Sequence, residues 1–135
     1  PPRPGARQGA GPAVAVVRGD AGVLPAQVAP PLAVVLTELL QNIVDHAYPD
    51  GGPEPGEGDV TVELANDGDR LEVVVTDDGV GLPEGFSLDA TTGLGLSIVR
   101  TLVTTELAGT IEMRRGDRDG PHPGTVVRLV VPFHP

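Results

Sequence analysis

Two neighbouring segments, DVTVELA (59–65) and RLEVVVT (70–76), alternate apolar and polar side chains on either side of the turn signal NDGD. Alternation with period two is the pattern of a strand with one dry face and one wet face. A hairpin of this kind cannot keep its apolar face in water, and two strands alone are barely stable, so the chain has to supply more strands and a second layer. It has the means for both. Residues 32 to about 47 place Leu32, Leu36, Leu39, Ile43 and Ala47 on one helical stripe, with Pro30 and Pro31 suited to the first turn, where a missing N–H costs little. A second helical stripe, Leu96, Val99, Leu102, Val103 and Leu107, runs within residues 93 to about 108.

AVAVVR (13–18) reads as a leading strand, and TIEMR (110–114) and GTVVRLVVP (124–132) as two closing ones. The last is almost continuously apolar, as an interior strand should be. Strand, helix, two strands, a long glycine-rich segment, helix and two strands predict an α/β two-layer sandwich, a mixed, mostly antiparallel sheet with helices on one face. Residues 13–135 form one domain in this reading. The opening PPRPGARQGAGP, with no initiating Met, reads as a disordered tail or linker (1–12) in a fragment of a longer chain.

Composition narrows the chemistry. With no cysteine, disulfides and thiolate metal sites are excluded. A net charge of −10 disfavours nucleic acid and acidic membranes as partners. All nine basic residues are Arg, so a P-loop and a eukaryotic-type protein kinase, both of which need a lysine on the phosphates, are excluded as well. No apolar run is long enough for a membrane span, and the chain is expected to be cytoplasmic.

Three motifs carry candidate chemistry. Glu38, Asn42 and Asp45 recur at i, i+4 and i+7 on the polar side of the first helix. Asn is a poor residue mid-helix, because its side chain competes for backbone hydrogen bonds. Such a stripe is either a solvated surface or a site where an Asn carbonyl meets a hard cation and a carboxylate meets a nucleophile. TDDGVG (76–81) ends a strand in a carboxylate and two glycines, which suits either a tight turn or a pocket where Asp77 accepts a hydrogen bond from an amino group on a flat ring. TTGLGLSIVR (91–100) opens a helix with Gly-x-Gly and offers free backbone amides to an anion with no lysine required, unless it is simply a flexible loop end. DDGVGLPEGFSLDATTGLGL, twenty residues with five glycines, is long enough for a functional loop.

Taken together and in this order, the three resemble the N, G1 and G2 boxes of the Bergerat-fold (GHKL) ATPases, the group of sensor histidine kinases, gyrase, Hsp90 and MutL. LAVVLTELLQN, GLGLSIVRTLVTTELAGTIEMR and GTVVRLVVP further resemble the HATPase_c domain of two-component sensor kinases of the HisKA_2 type, among them the actinobacterial PdtaS-like kinases. The resemblance spans roughly 32–132. It implies an ATP-binding catalytic domain that transfers the γ-phosphate to a His on a separate dimerisation domain, for relay to a response regulator. Some PdtaS-like kinases signal to regulators of the RNA-binding antiterminator type.

By the same resemblance, Asn42 would coordinate Mg²⁺ on the ATP phosphates, and Glu38 would orient the nucleophile or take its proton. Asp77 would read the adenine amine with a water that Thr125 shares, and Gly79 and Gly81 would shape that pocket. LPEGFSLDATT would be a short lid, and Gly93, Gly95 and Leu96 would give amides to the phosphates. Asp45 stands where many sensor kinases have Lys, so Mg²⁺ and amides must meet most of the phosphate charge; Arg100 is a further candidate or a surface Arg. His46 would line the pocket or cap packing. His122 and His134 fall in turn and tail contexts, so the fragment lacks a phosphoacceptor. HAYP also resembles the N box of anti-sigma-factor serine kinases, and an ATP-binding switch without turnover is a third reading.

Overall fold

The computed structural model describes residues 14–46, 59–79, 94–116 and 123–133. The opening tail and the whole of the proposed lid (82–92) lie outside those residues. Within them, β1 (Val14–Asp20) leads to α1 (Ala29–His46), then to the hairpin β2 (Asp59–Asn66) and β3 (Arg70–Asp77), then to α2 (Leu94–Thr101), and finally to β4 (Thr110–Arg115) and β5 (Thr125–Pro132). The sheet order is β1-β2-β3-β5-β4. β1 and β2 are parallel and the other pairs antiparallel. The expected mixed, mostly antiparallel sheet is therefore present, with the apolar β5 in an interior position.

Register explains why one face is dry. Val75 lies opposite both Val62 and Val127, and Val73 opposite Leu64 and Leu129. β3 is buried at every second residue, with Leu71, Val73, Val75 and Asp77 on the covered side. Those valines and leucines join Val28, Leu32, Val35, Leu39 and Ile43 of the first helical segment and Val99, Val103 and Leu107 of the second in one core. The opposite face keeps its charges, with the Arg128 guanidinium bridging Glu72 of β3 and Glu112 of β4. Exposed pairs of this kind contribute little to stability, so the core carries the fold.

Helix boundaries differ from the sequence expectation in two places. α1 starts at Ala29, one residue ahead of the Pro30 and Pro31 expected in its first turn, because a turn anchored on the Pro25 carbonyl already sets Val28 and Ala29, and Leu32 N donates to Val28 O at 3.0 Å. The second helix stops being α-helical at Thr101 and continues as a π-helical turn, Leu102–Glu106. Leu107 N donates to Leu102 O, five residues back, at 3.0 Å. Val103 within this turn and Leu107 just after it are both buried in the core. β1 also extends to Asp20, because its pairing with β2 continues to Ala65.

At the hairpin end, Asn66 ties the two halves together. Its Nδ2 donates to Ala21 O at 2.6 Å and to Val23 O at 3.3 Å, while its Oδ1 accepts from Gly68 N at 2.8 Å. The side chain thereby fixes both the β2–β3 turn and the path from β1 into α1. Asn66→Ala is expected to lower stability by about 1–3 kcal/mol, seen as a lower urea midpoint with an unchanged slope.

Candidate functional site

The connection β1-α1-β2 carries the site to one end of the sheet. Its strands are parallel, so α1 must run back along the sheet between them. Eighteen residues span about 27 Å, close to the length of an eight-residue strand. α1 starts beside the Asn66 clamp, so its C-terminal half travels towards the end where β2 begins, β3 ends and β5 begins. Glu38 and Asn42 lie on that half, both half-buried, on the flank away from the buried Leu39 and Ile43. α1 also packs against α2. Asp45 and His46 close α1, and their side chains lie outside the described residues.

At the same end, Asp77 closes β3 and lies in register with Thr125, the first residue of β5, and with Val60 of β2. Asp77 is 6% exposed and Thr125 8%, and these are the buried polar residues among those described. Period-two alternation puts both on the helix-covered side. Gly79 N donates to Asp77 Oδ1 at 2.8 Å. Burial pushes the Asp77 carboxyl above the ordinary carboxylate value; the Gly79 amide pulls it back, the neighbouring Asp78 charge raises it further, and the Thr125 amide lowers it. A carboxylate in that setting costs the fold free energy. It also has more acceptor capacity than these two amides use, so it can receive a donor from a ligand.

Gly95 and Leu96 lie in the first turn of α2, where backbone N–H groups have no intrahelical acceptor. Leu96 is half-buried and packs against the core. Gly81 and Gly93 lie outside the described residues. The structure thus brings Asp77, Gly79 and Thr125 together in one corner and directs the Glu38/Asn42 half of α1 and the start of α2 over the same face.

One contributor escapes the sequence reading. Gly124 N donates to Gly79 O at 2.9 Å, and Gly124 O accepts from Gly116 N at 2.9 Å. In sequence, Gly124 is only the glycine that follows a polar turn, so its partner across the sheet has no local signature. A shallow depression of about 370 Å³, lined by Asp20, Asn66, Asp67 and Arg70 among others, is at the opposite end of the sheet and holds no motif residue. Among the described residues no group of three or more His, Cys, Asp or Glu could hold a metal, and no helix is long and apolar enough to cross a membrane.

Residues 27–135 match the family model described as histidine kinase-, DNA gyrase B-, and HSP90-like ATPase. The sensor histidine kinase PdtaS of Mycobacterium tuberculosis is 48% identical over 114 residues, 84% of this chain and 21% of that protein. PdtaS of Mycolicibacterium smegmatis is 49% identical over 115 residues, 85% of this chain and 22% of the relative. The chain thus spans about a fifth of the length of these relatives. Among solved structures, the histidine kinase domain of the blue-light activated kinase EL346 from Erythrobacter litoralis superposes with a TM-score of 0.72 at 30% identity, covering 88% of this chain and 54% of that one.

Proposed function

The chain belongs to the histidine kinase-, DNA gyrase B-, and HSP90-like ATPase family, and from that premise we propose that it is the ATP-binding catalytic domain of a sensor histidine kinase. In this reading it is a cytoplasmic domain that binds Mg-ATP and passes the γ-phosphoryl group to a His on a separate dimerisation domain, for relay to a response regulator of the RNA-binding antiterminator type. The observation that carries the reading is Asp77, a carboxylate kept buried beside Gly79 and Thr125 at a cost to the fold. The relatives' identity favours a histidine kinase over an anti-sigma-factor serine kinase.

Each residue has a task. Asp77 accepts the adenine amine, and Thr125 holds a water that completes the contact. Gly79 and Gly81 admit the flat ring, and the segment 82–92 covers it. Gly93, Gly95 and Leu96 donate amides to the phosphates at the start of α2. Phosphoryl transfer asks a protein mainly to position groups and balance charge, and a bound Mg²⁺ would neutralise the phosphate oxygens. Asn42 would hold that ion through its side-chain carbonyl, a hard oxygen donor of the kind Mg²⁺ takes, together with the ATP phosphates. Asp45 and His46, at the end of α1, complete the proposed nucleotide-binding set. Glu38, one turn before Asn42, orients the attacking imidazole or takes its proton.

Calorimetric and thermal-shift titrations of the chain test the binding half. Mg-ATP at a hundred times its dissociation constant is expected to stabilise by about 2.7 kcal/mol, a rise of several degrees in Tm, and EDTA is expected to remove most of it. No shift with Mg-ATP would sink the reading.

A further inference from the structure

The corner that holds Asp77 is built from backbone, and Gly124 is at its centre. Gly124 N holds the Gly79 carbonyl at 2.9 Å, and the same Gly79 residue uses its N–H to hold Asp77 Oδ1 at 2.8 Å. Gly116 N fixes Gly124 from the other side at 2.9 Å. The approach is too close for any side chain. A Cβ on Gly124 would lie 2.2 Å from the Asp77 carbonyl oxygen and 3.4 Å from Asp78 Cα, and the residue has φ of +81°, a conformation that L side chains rarely adopt.

We propose that Gly124 is a positioning residue that sets the pocket's selectivity for a purine carrying an exocyclic amine, by holding the Gly79–Asp77 pair where the carboxylate meets that amine. This rests on the reading of Asp77 as the base-recognising group. The effect falls on selectivity because a hydrogen bond weakens steeply with distance and angle. Moving β5 away from the Asp77 carbonyl displaces the acceptor, while the phosphate contacts at the start of α2 are shared by every nucleoside triphosphate.

The experiment compares the affinity of the chain for ATP and for purine riboside triphosphate, which lacks the 6-amino group. The wild type is expected to favour ATP by roughly ten- to a hundredfold, and Gly124→Ala to bring the ratio close to one. Gly109→Ala is the matched control: a Cβ there would lie 2.3 Å from the Val130 carbonyl oxygen, at the other end of β5. It carries the same kind of clash and is expected to lower stability while keeping the wild-type ratio. If Gly124→Ala keeps that ratio, the proposal is overturned while the Asp77 reading stands. A wild-type chain without preference overturns the Asp77 reading itself and the proposal with it. Should Gly124→Ala fail to fold, the amide proton resonance of Gly124 in the wild type decides. A shift with ATP that purine riboside triphosphate does not produce supports the coupling, and equal responses to both overturn it.

Discussion

Glu38→Gln, introduced into the full-length kinase, is expected to lower phosphotransfer to the acceptor His by about 10²–10⁴-fold while leaving Mg-ATP affinity nearly unchanged. The substitution keeps the size of the side chain and its place on the half-buried flank of α1, so packing is not the variable. What it removes is the charge proposed to orient the incoming imidazole or accept its proton. Single-turnover transfer, measured beside calorimetric ATP affinity, separates the two. Unimpaired transfer in the variant, with hydrogen exchange of residues 82–92 still slowed by ATP, would instead support a nucleotide-driven switch that does no chemistry through Glu38.

Asp77→Asn is expected to weaken ATP binding by roughly ten- to a hundredfold without weakening the nucleotide-free fold. The asparagine carbonyl oxygen can still accept from Gly79 N, but its other atom is an NH₂ donor that now faces the donor amine of adenine. The fold itself gains, because a carboxylate buried against its own hydration is replaced by a neutral amide.

The pH dependence follows with opposite signs. Burial raises the Asp77 carboxyl in the folded state, so the fold holds this proton more tightly than the unfolded chain does. The destabilisation from this residue is therefore fully present above the raised folded value, and it disappears as pH falls below the ordinary value of 3.8. In the proposed role Asp77 receives the adenine amine in its ionised form, so ATP binding is expected to fall as pH drops through the raised folded value. The Asn variant should lose both dependences. Undiminished affinity for ATP in Asp77→Asn would remove Asp77 from the site, and a large loss of apo stability would make it a structural carboxylate instead.

Much of the architecture is legible in local pattern. Alternation places β2 and β3 to within a residue, since each second side chain has to leave water. The interior position of β5 follows from its run of Val and Leu, interrupted on the open face only by Arg128. The helix boundaries are less legible. The turn before Ala29 depends on a carbonyl at Pro25, and the π-helical turn after Thr101 is closed by the Leu107 N–H on the Leu102 carbonyl. Propensity sees neither contact.

By itself, the sequence determined the two layers, the order of elements and the residue types of the proposed site: an asparagine one turn after a glutamate, a carboxylate at a strand end, and glycines at a helix start. These are one-dimensional properties, because periodicity and turn chemistry act between near neighbours. Only the tertiary structure decided that β5 inserts between β3 and β4, which sets Thr125 against Asp77 and gives Gly124 the Gly79 carbonyl to bind. Burial then turned one of two adjacent aspartates into a perturbed acceptor: Asp77 falls on the dry side of the pleat, and Asp78 supplies a charge that raises it further. That choice depends on strand register and on which face the helices cover, and both come from long-range packing.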